Sequence, residues 1–541
     1  MDSQPNLDRF ASRRSTAYGT RGVVATSQPL AAEAGIETLR EGGNAFDAAV
    51  ATAATLNVVE PMSTGLGGDA FALYRTADGE VGAMRACGGA PEAATRNRMR
   101  EAVAEQHGGD PTAVEMPERG PLAVTVPGAP RGWEATVSEF GRLSLADVLE
   151  DAIHHATEGF PVSEVIASAW ALCEPELRND AAREQYLVDG ERAPEVGERM
   201  RLPKFGETLE TLAAEGADPF YEGDIAAEIV ETVQSAGGLL ERSDLEAFEV
   251  EFPDPVSTTY NGTEVYELPP NNQGLIALEA LNIAESLGVP ETEDHLERTH
   301  LLAESMKLAF TDGHHYITDP DYEEVPPLQS KRWAEERAEA VGEDAIESPD
   351  VGVLDSPAED ADTVLLTVAD GEGNVVSFIN SLFMGFGSGL VAGDTGLTLQ
   401  NRGASFALSD SHPNRIEPGK RPFHTLIPGL AQFGEDDWAA FGVMGGYMQP
   451  QGHVQVLSNL LDREMPLQAA LDEPRWRYRE DGTLAVEARF DGNVQSKLVR
   501  RGHDVRVDVP LQFGGAQIAR WNDGVLSGAT EPRKDGTVDV Y

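Results

Sequence analysis

One boundary near residue 362 constrains the fold of this chain more than any other feature. Residues 341–362 read Val-Gly-Glu-Asp-Ala-Ile-Glu-Ser-Pro-Asp and then Val-Gly-Val-Leu-Asp-Ser-Pro-Ala-Glu-Asp-Ala-Asp. The stretch is acidic, carries two Ser-Pro pairs and has no hydrophobic period, so it reads as an exposed loop. It stops abruptly at Thr363-Val-Leu-Leu-Thr-Val-Ala, a strand pattern. A turn at Asp370-Gly371-Glu372-Gly373-Asn374 and a second strand over 375–382 follow. Ahead of the boundary the chain reads as mainly helical. Beyond it, strands and Gly-rich turns are expected to dominate.

The first part is punctuated clearly. Apolar residues at helical spacing predict a helix over about 30–40, stopped by Gly42-Gly43. Asn44 is the expected N-cap of a second helix over about 45–56. That helix is almost entirely small and apolar, so it must be buried. A Gly-rich turn, Ser63-Thr64-Gly65-Leu66-Gly67-Gly68-Asp69, leads into a strand pair over 70–74 and 81–85. Residues 145–287 read as largely helical, with turns at Gly237-Gly238 and Pro269-Pro270.

Charge narrows the possible partners. The 541 residues carry 92 acidic and 41 basic side chains, a formal net charge of −51. Only Lys204, Lys307, Lys331, Lys420, Lys497 and Lys534 are lysines. Such a surface repels nucleic acid and anionic lipid, so neither is an expected partner. The acid is spread along the chain, which suits solvation in a very salty cytoplasm. Two cysteines, Cys87 and Cys173, argue against a disulfide framework and exclude a four-cysteine metal site. The first 22 residues lack an apolar segment, and no apolar run reaches membrane-spanning length, so a soluble cytoplasmic protein is expected.

Weak chemical signals fall away. Gly385-Phe386-Gly387-Ser388-Gly389 is followed by no helix pattern and no Lys-Ser/Thr. The chain has no Gly-x-Ser-x-Gly elbow and no His-Glu-x-x-His site. The pairs His154-His155 and His314-His315 point about 100° apart on a helix and cannot chelate one metal unaided. They read as partly exposed helical histidines, and no metal or cofactor is expected.

Thr363 draws its interest from its position. By default a threonine opening a strand is structural. At a loop–strand junction, however, it can be freed as a new N-terminus. Its α-amine, with an ordinary pKa of about 7.7–8.0, then lies within reach of its own hydroxyl as a general base. Uncut, the same nitrogen is an amide and accepts no proton, so the precursor would be inactive.

The segments around this threonine resemble the γ-glutamyltranspeptidase family of N-terminal nucleophile hydrolases. Asp362-Thr363 through Asp370, Gly373-Asn374-Val375 and Phe386-Gly387-Ser388-Gly389-Leu390-Val391-Ala392-Gly393 look like the start of that family's small subunit. Further matches are 42–51, 60–69, Val126-Pro127-Gly128, Phe220-Tyr221-Glu222-Gly223, Lys420-Arg421-Pro422, Gly445-Gly446 and 528–533, in the family's order. The resemblance spans about 20–541. It implies an α+β fold, a four-layer αββα sandwich. It also implies self-cleavage between Asp362 and Thr363 into a large subunit, 1–362, and a small subunit, 363–541, which stay together as a heterodimer. It further assigns Thr363 as nucleophile and Ser381 as the hydroxyl that orients its amine. Gly445 and Gly446 would supply the oxyanion-hole N–H groups.

The substrate side departs from the family pattern. The family's α-carboxylate arginine falls at Cys87, with Arg85 two residues away on the same strand face. The acidic residue that takes the α-ammonium falls at Ser405, and a usual glutamine at Arg402. A Ser-Ser pair becomes His424-Thr425, and an asparagine becomes Phe383. A pocket with Arg402, Arg421 and His424 nearby suits an acid without an α-amino group. The stretch 445–453 and Arg13-Arg14-Ser15-Thr16-Ala17-Tyr18 look like the family's cytosolic branch of cephalosporin-acylase-like and oxamate-amidohydrolase-like proteins. Three readings follow: a γ-glutamyl transferase or hydrolase acting on glutathione-type amides, an acylase or amidohydrolase of the same mechanism on other small-molecule amides, and a non-catalytic binding protein that kept the fold. Water or amine as the acyl acceptor, and further pairing of heterodimers, stay open at this point. The charge also carries a prediction: the thermal unfolding midpoint should climb steadily from about 0.1 M to multimolar NaCl as salt screens self-repulsion, and a flat profile would contradict salt adaptation.

Overall fold

The computed structural model describes residues 14–347, 349 and 361–541. Most of the loop expected over 341–362 lies outside the described residues. The strand that follows it begins at Ala361, two positions earlier than the sequence pattern indicates.

Two antiparallel sheets form the centre. One has six strands, in the order Thr537–Val540, Gly22–Thr26, Ala361–Asp370, Val375–Met384, Asp69–Arg75, Val81–Ala86. The other has seven, in the order Ala17–Gly19, Val525–Thr530, Gly515–Asn522, Asp437–Met444, Gly429–Gly434, Thr263–Glu267, Val256–Tyr260. Both draw strands from either side of residue 362.

Alternation along the strands builds the layers. Val364, Leu366 and Val368 pack outward with the helices Pro29–Arg40, Ala45–Val59 and Leu145–Glu158. Leu365 and Ala369 point inward against Leu430, Trp438, Ala440 and Met444 of the second sheet. The outer face of that sheet, including Ala439, Phe441 and Val443, is covered by Gly274–Ser286, His295–Tyr316 and Met448–Leu461. The result is the four-layer αββα sandwich.

The helix Ala45–Val59 is buried at all of its residues. Its alanines let neighbouring helices approach closely, and a capping box of Asn44 and Asp47 starts it. The Asp370 carboxylate, at the end of the strand Ala361–Asp370, also accepts from Ala45 N–H at 3.0 Å. That bond fixes the helix start to the strand hairpin.

Three features differ from expectation. The last third holds the helices Met448–Leu461, Leu467–Asp472 and Gly492–Arg500 among its strands. A hairpin, Val256–Tyr260 with Thr263–Glu267, interrupts the helical middle. His314 is buried, and burial lowers its pKa to about 4, so it is a neutral core histidine and not a partly exposed one.

The two sheets are in contact where Gly442 faces Leu365. A Cβ at 442 would lie 2.7 Å from Leu365 Cδ2. Gly442→Ala should therefore cost about 1–3 kcal/mol by overpacking, and Leu365→Ala about 2–5 kcal/mol by cavity formation. The double variant should cost clearly less than the sum, because the truncated leucine makes room for the added methyl. Denaturant unfolding of the four proteins measures this, and strict additivity would mean that the sheets do not touch there.

Candidate active site

The central hairpin carries one irregularity. Val364 pairs with Asn380, but Asp362 pairs with Phe383, so Ser381 and Leu382 together face Thr363. This is a β-bulge, one extra residue that re-aims its side chains. Ser381 Oγ accepts from Phe383 N–H at 2.8 Å, and Thr363 Oγ1 donates to Ser381 Oγ at 3.3 Å. Both residues are buried. Phe383 has φ +84°, a left-handed conformation rarely held by a bulky residue. Such strain persists only where the surroundings enforce it.

The Gly-rich turn found in the sequence supports this bulge. A Cβ on Gly68 would meet Ser381 O at 2.2 Å, so only glycine fits there. Leu382 N–H and Phe386 N–H donate to Ser63 O and Met62 O. Gly128 N–H and Ala129 N–H both donate to Gly68 O, and Tyr221 Oη donates to Pro127 O. Segments far apart in sequence thus converge on the backbone behind Ser381.

Gly445 and Gly446 follow the strand Asp437–Met444 and precede the helix Met448–Leu461. Gly445 has φ +112°, which excludes a side chain. The first helical bonds are Met448 N–H to Gly445 O and Gln449 N–H to Gly446 O, so the glycine N–H groups lie ahead of the helical ladder. Contacts between the sheets set their relation to the threonine. Ser377, paired with Thr367, donates to Phe441 O, and Leu365 lies on Gly442. Moving from 367 to 365 on one strand therefore moves from 441 to 442 on the other. Both Thr363 on the first strand and the Gly445-Gly446 turn on the second lie further along in that direction.

The substrate-side residues divide into two groups. Arg402, Thr425 and Phe383 come together: Arg402 Nη1 donates to Thr425 Oγ1 at 2.9 Å, and its guanidinium lies 4.1 Å from the Phe383 ring centroid. Gln273, which the sequence did not single out, donates to both Thr425 O (2.6 Å) and Gly446 O (3.0 Å). It ties this group to the glycine turn. Arg85 belongs to the second group, donating to Glu251, Pro269 O and Pro270 O. Arg421, expected in the pocket, is turned to Asp319, Asp321 and Glu251. Cys87 is a buried thiol pushed up to about 12, chiefly by burial, and so stays protonated. It lines a cavity of about 640 Å³ with Glu92, Asp244, Glu251, Asp319 and Arg421. Ser405 ends a short turn, Arg402–Ser405, with its Oγ buried.

His424 faces Asp69, another residue missed as a site member although it closes the Gly-rich motif. Leu426 N–H donates to His424 Nδ1, so the imidazole carries its proton on Nε2 and donates to Asp69 Oδ2 at 3.0 Å. Gln400 Nε2 donates to Asp69 Oδ1 at 2.9 Å. Asp69 sits opposite Ser381 in the ladder. Burial raises its pKa to about 7 against the lowering effects of Arg402, Gln400 and Gly128. Burial, with the nearby positive charges of Arg402 and Arg85, holds His424 neutral by pushing its pKa well below 6.5.

Among the described residues, His300, Glu304 and His503 also bring donor atoms within 4.8 Å of one another. Their own contacts occupy them. His300 bonds His503 and Gly342 O, and Glu304 takes Lys307 Nζ at 2.8 Å. The ammonium of Lys307 stands where a cation would need the carboxylate.

The raised carboxyl of Asp69 makes a prediction. A group ionising near 7 in the fold and near 3.8 when unfolded favours folding fully below about pH 3.8 and loses that preference as pH rises through 7. Asp69→Asn removes the effect, and Gln400 can turn its unpaired Oε1 to the new amide. Relative to this variant, wild-type stability should fall by up to about 1.4 kcal/mol per pH unit between those limits. Parallel stability profiles in denaturant titrations from pH 4 to 8 would refute the raised pKa.

Comparison with known proteins places this geometry. A family model described as gamma-glutamyltranspeptidase matches residues 31–541. The chain is 39% identical over 536 residues to the glutathione hydrolase-like YwrD proenzyme of Bacillus subtilis (strain 168), covering 96% of this chain and 98% of that protein. It is 36% identical over 544 residues to the oxamate amidohydrolase proenzyme of Klebsiella pneumoniae, covering 97% and 100%. The crystal structure of cephalosporin acylase from Bacillus halodurans superposes with a TM-score of 0.88 at 42% identity, covering 100% of this chain and 99% of that one. The chain belongs to the γ-glutamyltranspeptidase family, on the N-terminal nucleophile hydrolase fold.

Proposed function

We propose that the chain is a precursor that cuts itself between Asp362 and Thr363 and then works as a threonine-nucleophile amidohydrolase. The observation that carries this reading is the buried Thr363 hydroxyl, 3.3 Å from Ser381 Oγ, at the opening of a central strand. In processing, Thr363 Oγ attacks the Asp362 carbonyl carbon and the peptide C–N bond breaks. Water then hydrolyses the resulting ester, leaving the Asp362 carboxylate and a free Thr363 amine. In turnover, that amine takes the Oγ proton as Oγ attacks the substrate amide. The Gly445 and Gly446 N–H groups hold the oxyanion. The leaving amine departs with the proton, and water resolves the acyl ester. Residues 1–362 and 363–541 stay together because both central sheets interleave strands from each. The proenzyme names of the relatives support the same scheme.

For the acyl group, the reading the site favours is an acid without an α-amino head. Ser405 offers a hydroxyl where a γ-glutamyl ammonium would need an acid, and the Arg402 charge stands three residues away in the same turn. A γ-glutamyl substrate is the second reading, supported by the glutathione hydrolase-like name of one relative. A non-catalytic binding role has no support from the site, which keeps the threonine and both glycines.

Intact mass after purification in high salt tests the mechanism. Wild type should give two fragments, the smaller beginning at Thr363. Thr363→Ala should remain one chain and lose at least about a thousandfold in amidase activity, as removal of a nucleophile does. A fully active Thr363→Ala protein would overturn the mechanism.

A further inference from the structure

Among the site residues described above, Arg402 leaves the most buried polar atoms unpaired. Its side chain is fully buried, yet Nε and Nη2 have no hydrogen-bond partner among the described residues. Only Nη1 is engaged, on Thr425 Oγ1. Asp69, the carboxylate whose charge acts on it, is already held by His424 and Gln400. The Phe383 ring covers one face of the guanidinium. The unpaired Nε–Nη2 edge is the planar fork that matches a carboxylate with two parallel bonds. A buried cation left with two unused donors is costly, so this edge is built for an occupant.

The surroundings place that edge beside the reacting atoms. Phe383, stacked on the guanidinium, donates its N–H to Ser381 Oγ, which takes the Thr363 hydroxyl. Thr425, bonded to Nη1, is joined through Gln273 to Gly446 O. Tyr447, next to Gly446, lies within electrostatic reach of Arg402. Arg402 is thus linked through two residues, Phe383 and Ser381, to the nucleophile and through two, Thr425 and Gln273, to the oxyanion turn.

We infer that Arg402 binds a carboxylate at the far end of the acyl group, which makes the substrate class the monoamides of short dicarboxylic acids. This rests on the threonine mechanism proposed above. The α-ammonium of a γ-glutamyl group would bring a second positive charge toward the same guanidinium, with Ser405 in place of an acid.

The test compares three p-nitroanilides on the processed enzyme in high salt: glutaryl, which has the carboxylate, butyryl, which lacks it, and γ-L-glutamyl, which adds the ammonium. Wild type should prefer glutaryl to butyryl by about a hundredfold or more in kcat/KM, because a site with buried charged donors rejects a ligand that leaves them unpaired. Arg402→Gln should bring that ratio to within about threefold of one, and Arg402→Lys should restore part of it. Intact mass of each variant shows whether it folded and processed. Near-equal glutaryl and butyryl rates in wild type would mean that water alone fills the fork, and would overturn the inference. So would a γ-glutamyl rate matching glutaryl, or an unchanged ratio in a processed Arg402→Gln enzyme. Failure of wild type to hydrolyse any acyl anilide or simple acyl amide, even when processed, would instead count against the amidohydrolase reading itself.

Discussion

The bulge at Asn380–Phe383 is the constraint on which the rest of the site depends. A regular ladder would set Thr363 opposite Ser381 and Asp362 opposite Leu382. The extra residue instead slips Asp362 to Phe383, turns Ser381 Oγ back onto Phe383 N–H, and forces Phe383 to positive φ. Nothing in a two-stranded pairing favours that geometry. It is held from behind by Gly68, whose missing side chain admits Ser381 O, and from in front by Arg402 stacked on Phe383. The Gly-rich turn, the Val-Pro-Gly segment and Tyr221 are then successive supports of one distortion.

The buried cations of this acid-rich chain make a useful contrast. Arg533 is as deeply buried as a side chain can usefully be, and each of its nitrogens meets Glu487, Glu531 or a backbone carbonyl. Arg421 meets Asp319, Asp321 and Glu251. With 92 carboxylates available, the fold supplies counter-ions to these arginines readily. Among the described residues Arg402 has no direct carboxylate partner, and Asp69, the acid whose charge acts on it, is engaged elsewhere. A structural role would have been met by a glutamate, as at Arg533. The open fork makes better sense as a site that must stay empty until a ligand arrives.

Much of this was legible in the sequence, and the gaps have physical causes. The helix Ala45–Val59 and the hairpin after residue 361 announce themselves by composition and by a turn of Asp, Gly and Asn. The helix Met448–Leu461 does not, because Pro450 and Gly452 read as breakers. Pro450 sits in the first turn, where its missing N–H costs little, and Gly452 lies tight against Val443, where a Cβ would meet Cγ1 at 2.5 Å. Packing overrides propensity there. At the site, motif matching brought out Thr363, Ser381 and the glycine pair. The Asp69–His424 bond joins residues 355 positions apart, and no local pattern encodes it. Arg85 and Arg421 looked equivalent to Arg402 as charges in a list, and only their partners distinguish them.

The same ladder links the proposed cleavage point to the residue that stacks on Arg402. Ala361 and Asp362 extend the threonine strand and pair with Met384 and Phe383, so the uncut chain runs its own backbone along the residue that stacks on Arg402. Cutting before Thr363 leaves the central hairpin intact, because 364–369 keep their partners on Val375–Met384 and 366–369 also keep theirs on Gly22–Thr26. It frees 361–362 from the covalent continuity that held them against 383–384. On the proposed mechanism, one bond cleavage therefore does two things. It turns an amide into the amine that serves as base, and it frees the end of the segment paired with Phe383, the residue that stacks on Arg402. Until the cut is made the precursor has no amine to serve as the base for turnover, although its sheets, helices and buried ion pairs are already complete.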